Sequence, residues 1–279
     1  MSKVILITGS NKGIGFGSAK ALLEQAPEFK TIILTARDPS LGESARQALG
    51  HLDRTDFIKL EVLSETDFIK LDVVSKSDIQ AAASFVQSKY GHLDVLVNNA
   101  GWAMKGSAFN LEIVQRTFAT NFYGLKDMCE AFLPIMSPNG HIINISSSAG
   151  VTPILNNSDL ASRFLDPNLT EEGVVALAEE FTKYVGEGTW KDHGWPTWGY
   201  AVSKNLVNSY SRVLHRDLKA RGMNIRVNTV HPGLVRTDMA GPEAELSLEE
   251  GCVVPVQVIR DESDVSGKFW RDGNHFDYY

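Results

Sequence analysis

Thr8-Gly9-Ser10-Asn11-Lys12-Gly13-Ile14-Gly15 follows directly on an apolar run at residues 4–7 and opens a stretch of helical spacing over 14–25. Strand, three-glycine turn and helix in that order form the phosphate-binding start of a dinucleotide fold. Gly9 permits a tight turn, while Gly13 and Gly15 let backbone and helix come close to a pyrophosphate. The pyrophosphate charge is then met by free N–H groups at the helix start. Asn11, Lys12 and Ile14 lie in the same turn and are expected at the cofactor. A glycine-rich turn carries weight only in this context, between a first strand and a first helix.

Working outward, short β-branched apolar runs recur at 31–35, 95–97, 141–145 and 225–230. Between them lie helical spacings over 42–49, 76–90, 111–136 and 200–220, with Pro134 expected to kink or end the fourth. Strands so uniformly apolar are covered on both faces, so the fold class is α/β, a Rossmann-type doubly wound parallel sheet with helices on both sides. Residues 55–64 recur almost verbatim as 66–75, and two copies compete for one strand. The second copy leads straight into the helix at Lys76, which assigns residues 68–72 to the sheet and the first copy to an extra loop or edge segment.

The 279 residues are 43% hydrophobic with a net charge of −7, enough for one core and without a basic stripe for nucleic acid. Residues 1–279 are therefore read as one dinucleotide-binding domain. Cys129 and Cys252 are far apart and neither stands at metal-ligand spacing, so no metal is expected and a reduced, cytoplasmic setting fits. The run at 4–7 is too short for a membrane span or a signal core. At the end of the second strand Arg37 suits a 2′-phosphate, with Lys12 as a second cation, which favours NADPH over NADH. Asp38 is the counterweight, and it falls one residue beyond Arg37.

Four motifs, the glycine turn, Asn98-Asn99-Ala100-Gly101, Tyr200-Ala201-Val202-Ser203-Lys204 and His231-Pro232-Gly233, occur in the order found in the short-chain dehydrogenase/reductase family, which the chain resembles over nearly its whole length. A long segment at about 152–198, ahead of Tyr200, makes it most similar to the monomeric carbonyl reductases of that family. Helical pieces are expected there from Phe164, Leu169, Val174, Leu177, Phe181 and Val185. The resemblance implies a lobe over the usual oligomerisation face, hence a monomer. It also implies cofactor contacts from Asp72 and Val73, with Glu61-Val62 as a rival pair. Further contacts follow at Asn98, Ala100 and Gly101, and at Pro232, Gly233, Val235 and Thr237.

Reduction of a ketone needs a hydride at carbon and a proton at oxygen. A phenol near pKa 10 serves as proton donor if a neighbour brings it down. Tyr200 and Lys204, at i and i+4, share a helix face, so the ammonium can favour the phenolate. By the resemblance, Ser147 orients the carbonyl, Lys204 also holds the nicotinamide ribose, and Asn121 holds a water leading to Lys204. Ser146 and Ser148 are rivals to Ser147. Trp102, Trp195, Trp198 and Met239 fall in loops expected after strand ends and suggest an apolar pocket, joined by Ala149 and Leu234 where the related reductases carry larger groups. His193 and His231 are read as structural.

The expected function is NADPH-dependent reduction of ketones, aldehydes or quinones to alcohols on a small-molecule carbonyl substrate. An NAD(P)-dependent alcohol or hydroxysteroid dehydrogenase is the second reading. A catalytically silent NADPH-binding regulator is the third, opposed by the presence of Asn121, Ser147, Tyr200 and Lys204 together.

Overall fold

The computed structural model describes residues 3–50 and 65–278. The first copy of the repeat, with the Glu61-Val62 pair, lies outside the described residues. Eight strands among them form one sheet: β1 (Lys3–Ile7), β2 (Phe29–Ala36), β3 (Glu65–Lys70), β4 (Leu93–Asn98), β5 (Met136–Ile145), β6 (Arg226–Val230), β7 (Phe269–Arg271) and β8 (Asn274–Phe276). Their order is β3-β2-β1-β4-β5-β6-β7-β8. Every neighbouring pair is parallel except β7 and β8. Strand order reverses between β1 and β4, and in an open α/β sheet the ligand crevice lies there, outside the carboxyl ends of the strands.

Alternate strand residues feed two cores. Leu6, Ile33, Leu96, Ile142 and Val227 point to one face, Ile5, Ile7, Ile32, Val95 and Ile143 to the other. The second face is covered by α1 (Gly13–Gln25) and α9 (Leu248–Arg260) through Ala19, Leu22, Val256 and Ile259, with Leu49 of α2 (Pro39–Gly50) at its edge. The first face takes α3 (Lys76–Tyr90), α4 (Leu111–Phe118), α5 (Gly124–Phe132) and α8 (Gly199–Ala220). Both faces are thus dry, which is why the strands read as continuous apolar runs.

Three boundaries differ from the sequence expectation. The third strand begins at Glu65 rather than 68, because its register follows β2 from Thr31↔Glu65 to Ala36↔Lys70. Asp72 consequently lies past the strand. The expected helix over 111–136 is interrupted by a π-helical turn, Ala119–Tyr123, where Gly124 N–H reaches back to Ala119 O. It stops at Phe132, before a 3₁₀ turn that contains Pro134, and Met136 already belongs to β5. The β7–β8 hairpin was not anticipated; Asp272 and Gly273 turn it with φ of 52° and 75°.

In the segment ahead of Tyr200, α6 (Ser158–Leu165) and α7 (Glu171–Glu187) lie against α4 and α8. Leu160, Phe164, Val174, Leu177, Phe181 and Val185 join the first core. Trp195 joins it too, with ring centroids 5.0 Å from Phe181 and 6.0 Å from Phe164. This removes Trp195 from the expected pocket lining, since its indole is 3% exposed and packs the lobe onto the domain.

Candidate functional site

The glycine turn owes its shape to close approach. Gly9 and Gly13 have φ of +60° and +58°, a region that L side chains rarely adopt. A Cβ at Gly15 would stand 2.5 Å from Asn99 Nδ2 and 2.9 Å from Ser10 Cα. Side chains behind the turn fix it: Ser10 Oγ donates to Ile7 O at 2.8 Å and accepts from Thr35 N at 2.9 Å, and Gly9 N donates to Thr35 Oγ1 at 3.0 Å. Thr8 Oγ1 accepts from Asn99 N and Ala100 N, each at 2.9 Å, while Asn99 Nδ2 donates to Thr8 O and Gly9 O. The roles of Thr8, Ser10, Thr35 and Asn99 were missed by sequence reasoning, although Thr8, Ser10 and Asn99 sit inside the quoted motifs.

Helix α1 starts with no side-chain cap at Lys12 and no acidic residue in its first turn. By contrast α3, α4, α6, α7 and α9 are capped by Ser75, Asn110, Asn157, Thr170 and Ser247. Uncapped N–H groups beside glycines that leave no room for side chains fit a nucleotide pyrophosphate. From the far side the loop after β6 closes down: Thr237 Cγ2 lies 3.6 Å from where a Gly13 Cβ would be. Val235 anchors that loop by burial against Gly251 of α9. Gly233, at φ +90°, lies against Leu246, next to a buried Pro232.

The two cations assigned to a 2′-phosphate differ. Arg37 is exposed just beyond β2, while Lys12 Nζ is held by Asp238 Oδ2 at 2.6 Å across the turn. Asp38 is occupied: its carboxylate accepts from Ser40 N at 2.8 Å, Ser40 Oγ at 2.7 Å and Leu41 N at 3.3 Å at the start of α2. Those bonds hold its carboxyl below the usual range. Asp72 Oδ1 accepts from Val74 N, and Val73 is buried with its carbonyl against Gly124. The Asn98 side chain turns inward to Asn144 Oδ1 at 2.9 Å and Cys129 Sγ. It joins β4 to β5 instead of facing the crevice, so a contact with the nucleotide would fall to the Asn98 main chain.

At the carboxyl end of β5, Ser146 Oγ donates to Asn208 Oδ1 at 2.6 Å and is 3% exposed, so it faces away. Ser147 Oγ accepts from Ala149 N at 3.1 Å, which leaves its own proton to donate. The turn that follows can lie on α8 because a Cβ at Gly150 would come within 2.7 Å of the Lys204 backbone. This brings Ser147 to the phenol of Tyr200. Burial pushes that phenol up, and the Ser147 hydrogen bond pulls it partly back. Lys204 Nζ lies 5.7 Å from the Tyr200 ring centroid and donates to Ile145 O at 2.7 Å. Burial brings it down to about 8. The protein groups alone thus raise the phenol where the sequence led us to expect a lowering, because burial outweighs the Ser147 hydrogen bond.

Asn121, 1% exposed in the π-helical turn, accepts from Trp102 N at 2.7 Å and donates to Trp102 O at 2.9 Å and to Ser203 Oγ at 3.0 Å. Ser203 Oγ in turn donates to Tyr200 O at 2.7 Å. The side chain therefore clamps the loop after β4 to the first turn of α8. A water-holding role toward Lys204 would fall to the one free lone pair on Oδ1 or to the main chain. Met239 Cε lies 3.7 Å from a Gly101 Cβ position, and Ala149 is buried. Trp198, Leu234 and Met239 are 49%, 53% and 42% exposed, which places them on the rim rather than in a closed pocket. His193 stacks on Tyr184 at 3.6 Å, and His231 N–H donates to Trp270 O at 2.8 Å. Among the described residues no group of three His, Cys, Asp or Glu could hold a metal, and no helix is long and apolar enough to cross a membrane.

The model of the short chain dehydrogenase family matches residues 3–162 and 192–246, a span that includes the glycine turn, Ser147, Tyr200 and Lys204. The chain belongs to this family. Among relatives, carbonyl reductase (NADPH) 1 of Mus musculus is 37% identical over 270 residues, 95% of this chain and 93% of its own. The Homo sapiens protein of the same name is 37% identical over 273 residues, with the same coverages. Among solved structures of the family, salutaridine reductase from Papaver somniferum superposes with a TM-score of 0.84 at 27% identity, covering 97% of this chain and 99% of that one. Menthone neomenthol reductase from Mentha piperita gives 0.79 at 25%, with coverages of 96% and 98%. The internal stretch left unmatched, 163–191, holds the end of α6 and all of α7, so the lobe is one place where the chain departs from the family pattern.

Proposed function

We propose that the chain is an NADPH-dependent carbonyl reductase, converting ketones, aldehydes or quinones to alcohols. The observation that carries this reading is the meeting of Ser147, Tyr200 and Lys204 beside an uncapped glycine turn. The names of the relatives at 37% identity support the same activity and cofactor. When bound, the reduced nicotinamide supplies the hydride to the carbonyl carbon. Gly9, Asn11, Gly13, Ile14, Gly15, Ala100, Gly101 and the loop Pro232, Gly233, Val235, Thr237 are assigned to hold the nucleotide, with Asp72 and Val73 at the adenine side. Arg37 is the better placed cation for the 2′-phosphate, and Lys12 contributes on leaving Asp238.

Tyr200 holds its proton firmly at neutral pH and gives it to the carbonyl oxygen as negative charge develops there. Ser147 turns its hydroxyl proton from the phenol to the same oxygen and stabilises the alkoxide character of the transition state. Lys204, positively charged below about pH 8, compensates the phenolate left behind. Atoms balance: one hydride on carbon, one proton on oxygen, and a phenolate that is reprotonated from solvent. Asn121 is a positioning residue that holds Trp102 and the α8 start in register.

The chain is further proposed to act as a single cytoplasmic domain and a monomer, with α6 and α7 covering the α4 and α8 surface. Sedimentation at twice the 30.7 kDa chain mass would refute the monomer. The activity is tested by following NADPH absorbance with quinones, aromatic ketones and aldehydes, with NADH in parallel. Turnover that favours NADPH supports the reading, and tight NADPH binding without turnover on any carbonyl refutes it.

A further inference from the structure

The crevice mouth carries a cation that the chemistry above leaves unused. Arg116, exposed on α4, stands with its guanidinium carbon 4.5 Å from the Trp102 ring centroid. A guanidinium held over a ring in this way still has N–H donors to offer, and their fork pairs with a carboxylate in bidentate fashion. Among the described residues Arg116 has no ion pair, whereas Lys12 is neutralised by Asp238, which also feels the charge of Lys105. The guanidinium of Arg116 is therefore an uncompensated positive charge on a chain of net charge −7, distinct from Arg37, which is assigned to the nucleotide.

Its support is rigid. Trp102 is clamped at both N–H and C=O by Asn121, which is tied through Ser203 to the backbone of Tyr200. Val114, on the buried face of the same helix α4 two residues before Arg116, abuts Gly199, the neighbour of Tyr200, with 3.2 Å between Val114 Cγ2 and a Gly199 Cβ position. Exposed Trp198, Met239 and Met104 add apolar surface around this point. The combination is an apolar rim with one fixed, unpaired cation, connected by short contacts to the proton donor.

We propose that Arg116 is a specificity-determining residue that selects carbonyl substrates with an apolar or aromatic body and a carboxylate. The body lies along Trp102 and the rim, and the carboxylate pairs with the guanidinium edge. The inference rests on the reductase reading and names the substrate class of that site.

The test uses the full chain with NADPH and three aryl ketones that carry a carboxylate on a small rigid, a larger rigid and a flexible frame: 4-acetylbenzoate, 4-benzoylbenzoate and 5-oxo-5-phenylpentanoate. Each is compared with its methyl ester. At least one acid is expected to show a KM about tenfold below its ester with similar kcat, as a charge-assisted pair would give. Arg116→Leu should erase that gap by raising KM for the acid alone, and Arg116→Lys should restore part of it. The KM for NADPH and the ester kinetics should stay within twofold, which a merely structural role would not leave untouched. Equal KM for all acids and esters, a gap that survives Arg116→Leu, or an equal loss on both would overturn the proposal while leaving the reductase reading intact. Absence of turnover on every carbonyl, esters included, would overturn both.

Discussion

A methyl group added at Gly15 would meet Asn99 Nδ2 at 2.5 Å and Ser10 Cα at 2.9 Å, whereas one added at Gly186, near the end of α7, meets nothing closer than Leu111 Cδ2 at 3.5 Å. Both glycines are helical, yet only the first is held from several sides. The nucleotide side of the crevice is locked by backbone proximity and by Thr8, Ser10, Thr35 and Asn99. On the lobe side apolar side chains interlock, and the rim leaves Trp198, Leu234 and Met239 open to water. The difference teaches where this architecture tolerates change: the cofactor turn accepts little, while the substrate side can be re-lined without disturbing it.

That contrast can be broken by measurement. Gly15→Ala should weaken NADPH binding by at least about 100-fold, or lower stability by about 1–3 kcal/mol if the helix shifts to make room, read by nucleotide titration and thermal melting. Retention of both would show that the turn is looser than its contacts indicate. For pH, Lys204 loses its charge above about 8 while the Tyr200 phenol keeps its proton beyond its ordinary range. Reductive kcat/KM should therefore be level near neutrality and fall about fivefold as pH rises from 8 to 9, since the charged fraction of Lys204 drops from about one half to about one tenth. A profile rising through that window would contradict the assigned charges. Asn121→Ala removes the clamp on Trp102 and should cost about 2 kcal/mol and raise KM for aromatic ketones severalfold, with NADPH affinity little changed. Smallest of all, Gly186→Ala should leave activity intact and be neutral or stabilising by up to about 1 kcal/mol, from the helix propensity of alanine.

The same division decided what could be read from the chain. The glycine turn, the parallel sheet and the Tyr200/Lys204 helix were legible because each depends on local spacing: glycines where no Cβ fits, apolar runs covered on both faces, and i, i+4 on one helix. The site residues remain assignments of the resemblance, supported by the way the structure brings Ser147, Tyr200 and Lys204 together. Trp195 was not legible as a lobe residue because burial, not the character of the segment, decides where a side chain points. The π-helical turn at 119–123 was hidden, since an apolar period runs through it unbroken. The Asp272-Gly273 hairpin carried a sequence signal that was overlooked, a two-residue type I′ turn of the most recognisable kind. Arg116 over Trp102 could not be read at all, because their contact joins a loop and a helix fourteen residues apart through the Asn121 clamp.

The most direct test of the central claim is single-turnover oxidation of NADPH by an aromatic ketone on wild type and Tyr200→Phe, with NADPH affinity measured on both. The variant should bind NADPH within about twofold of wild type and lose at least about 10³-fold in the chemical step, because it keeps the ring and removes the proton. Full turnover by Tyr200→Phe would contradict the assignment of Tyr200 as proton donor, and with it the mechanism built on the Ser147, Tyr200 and Lys204 arrangement.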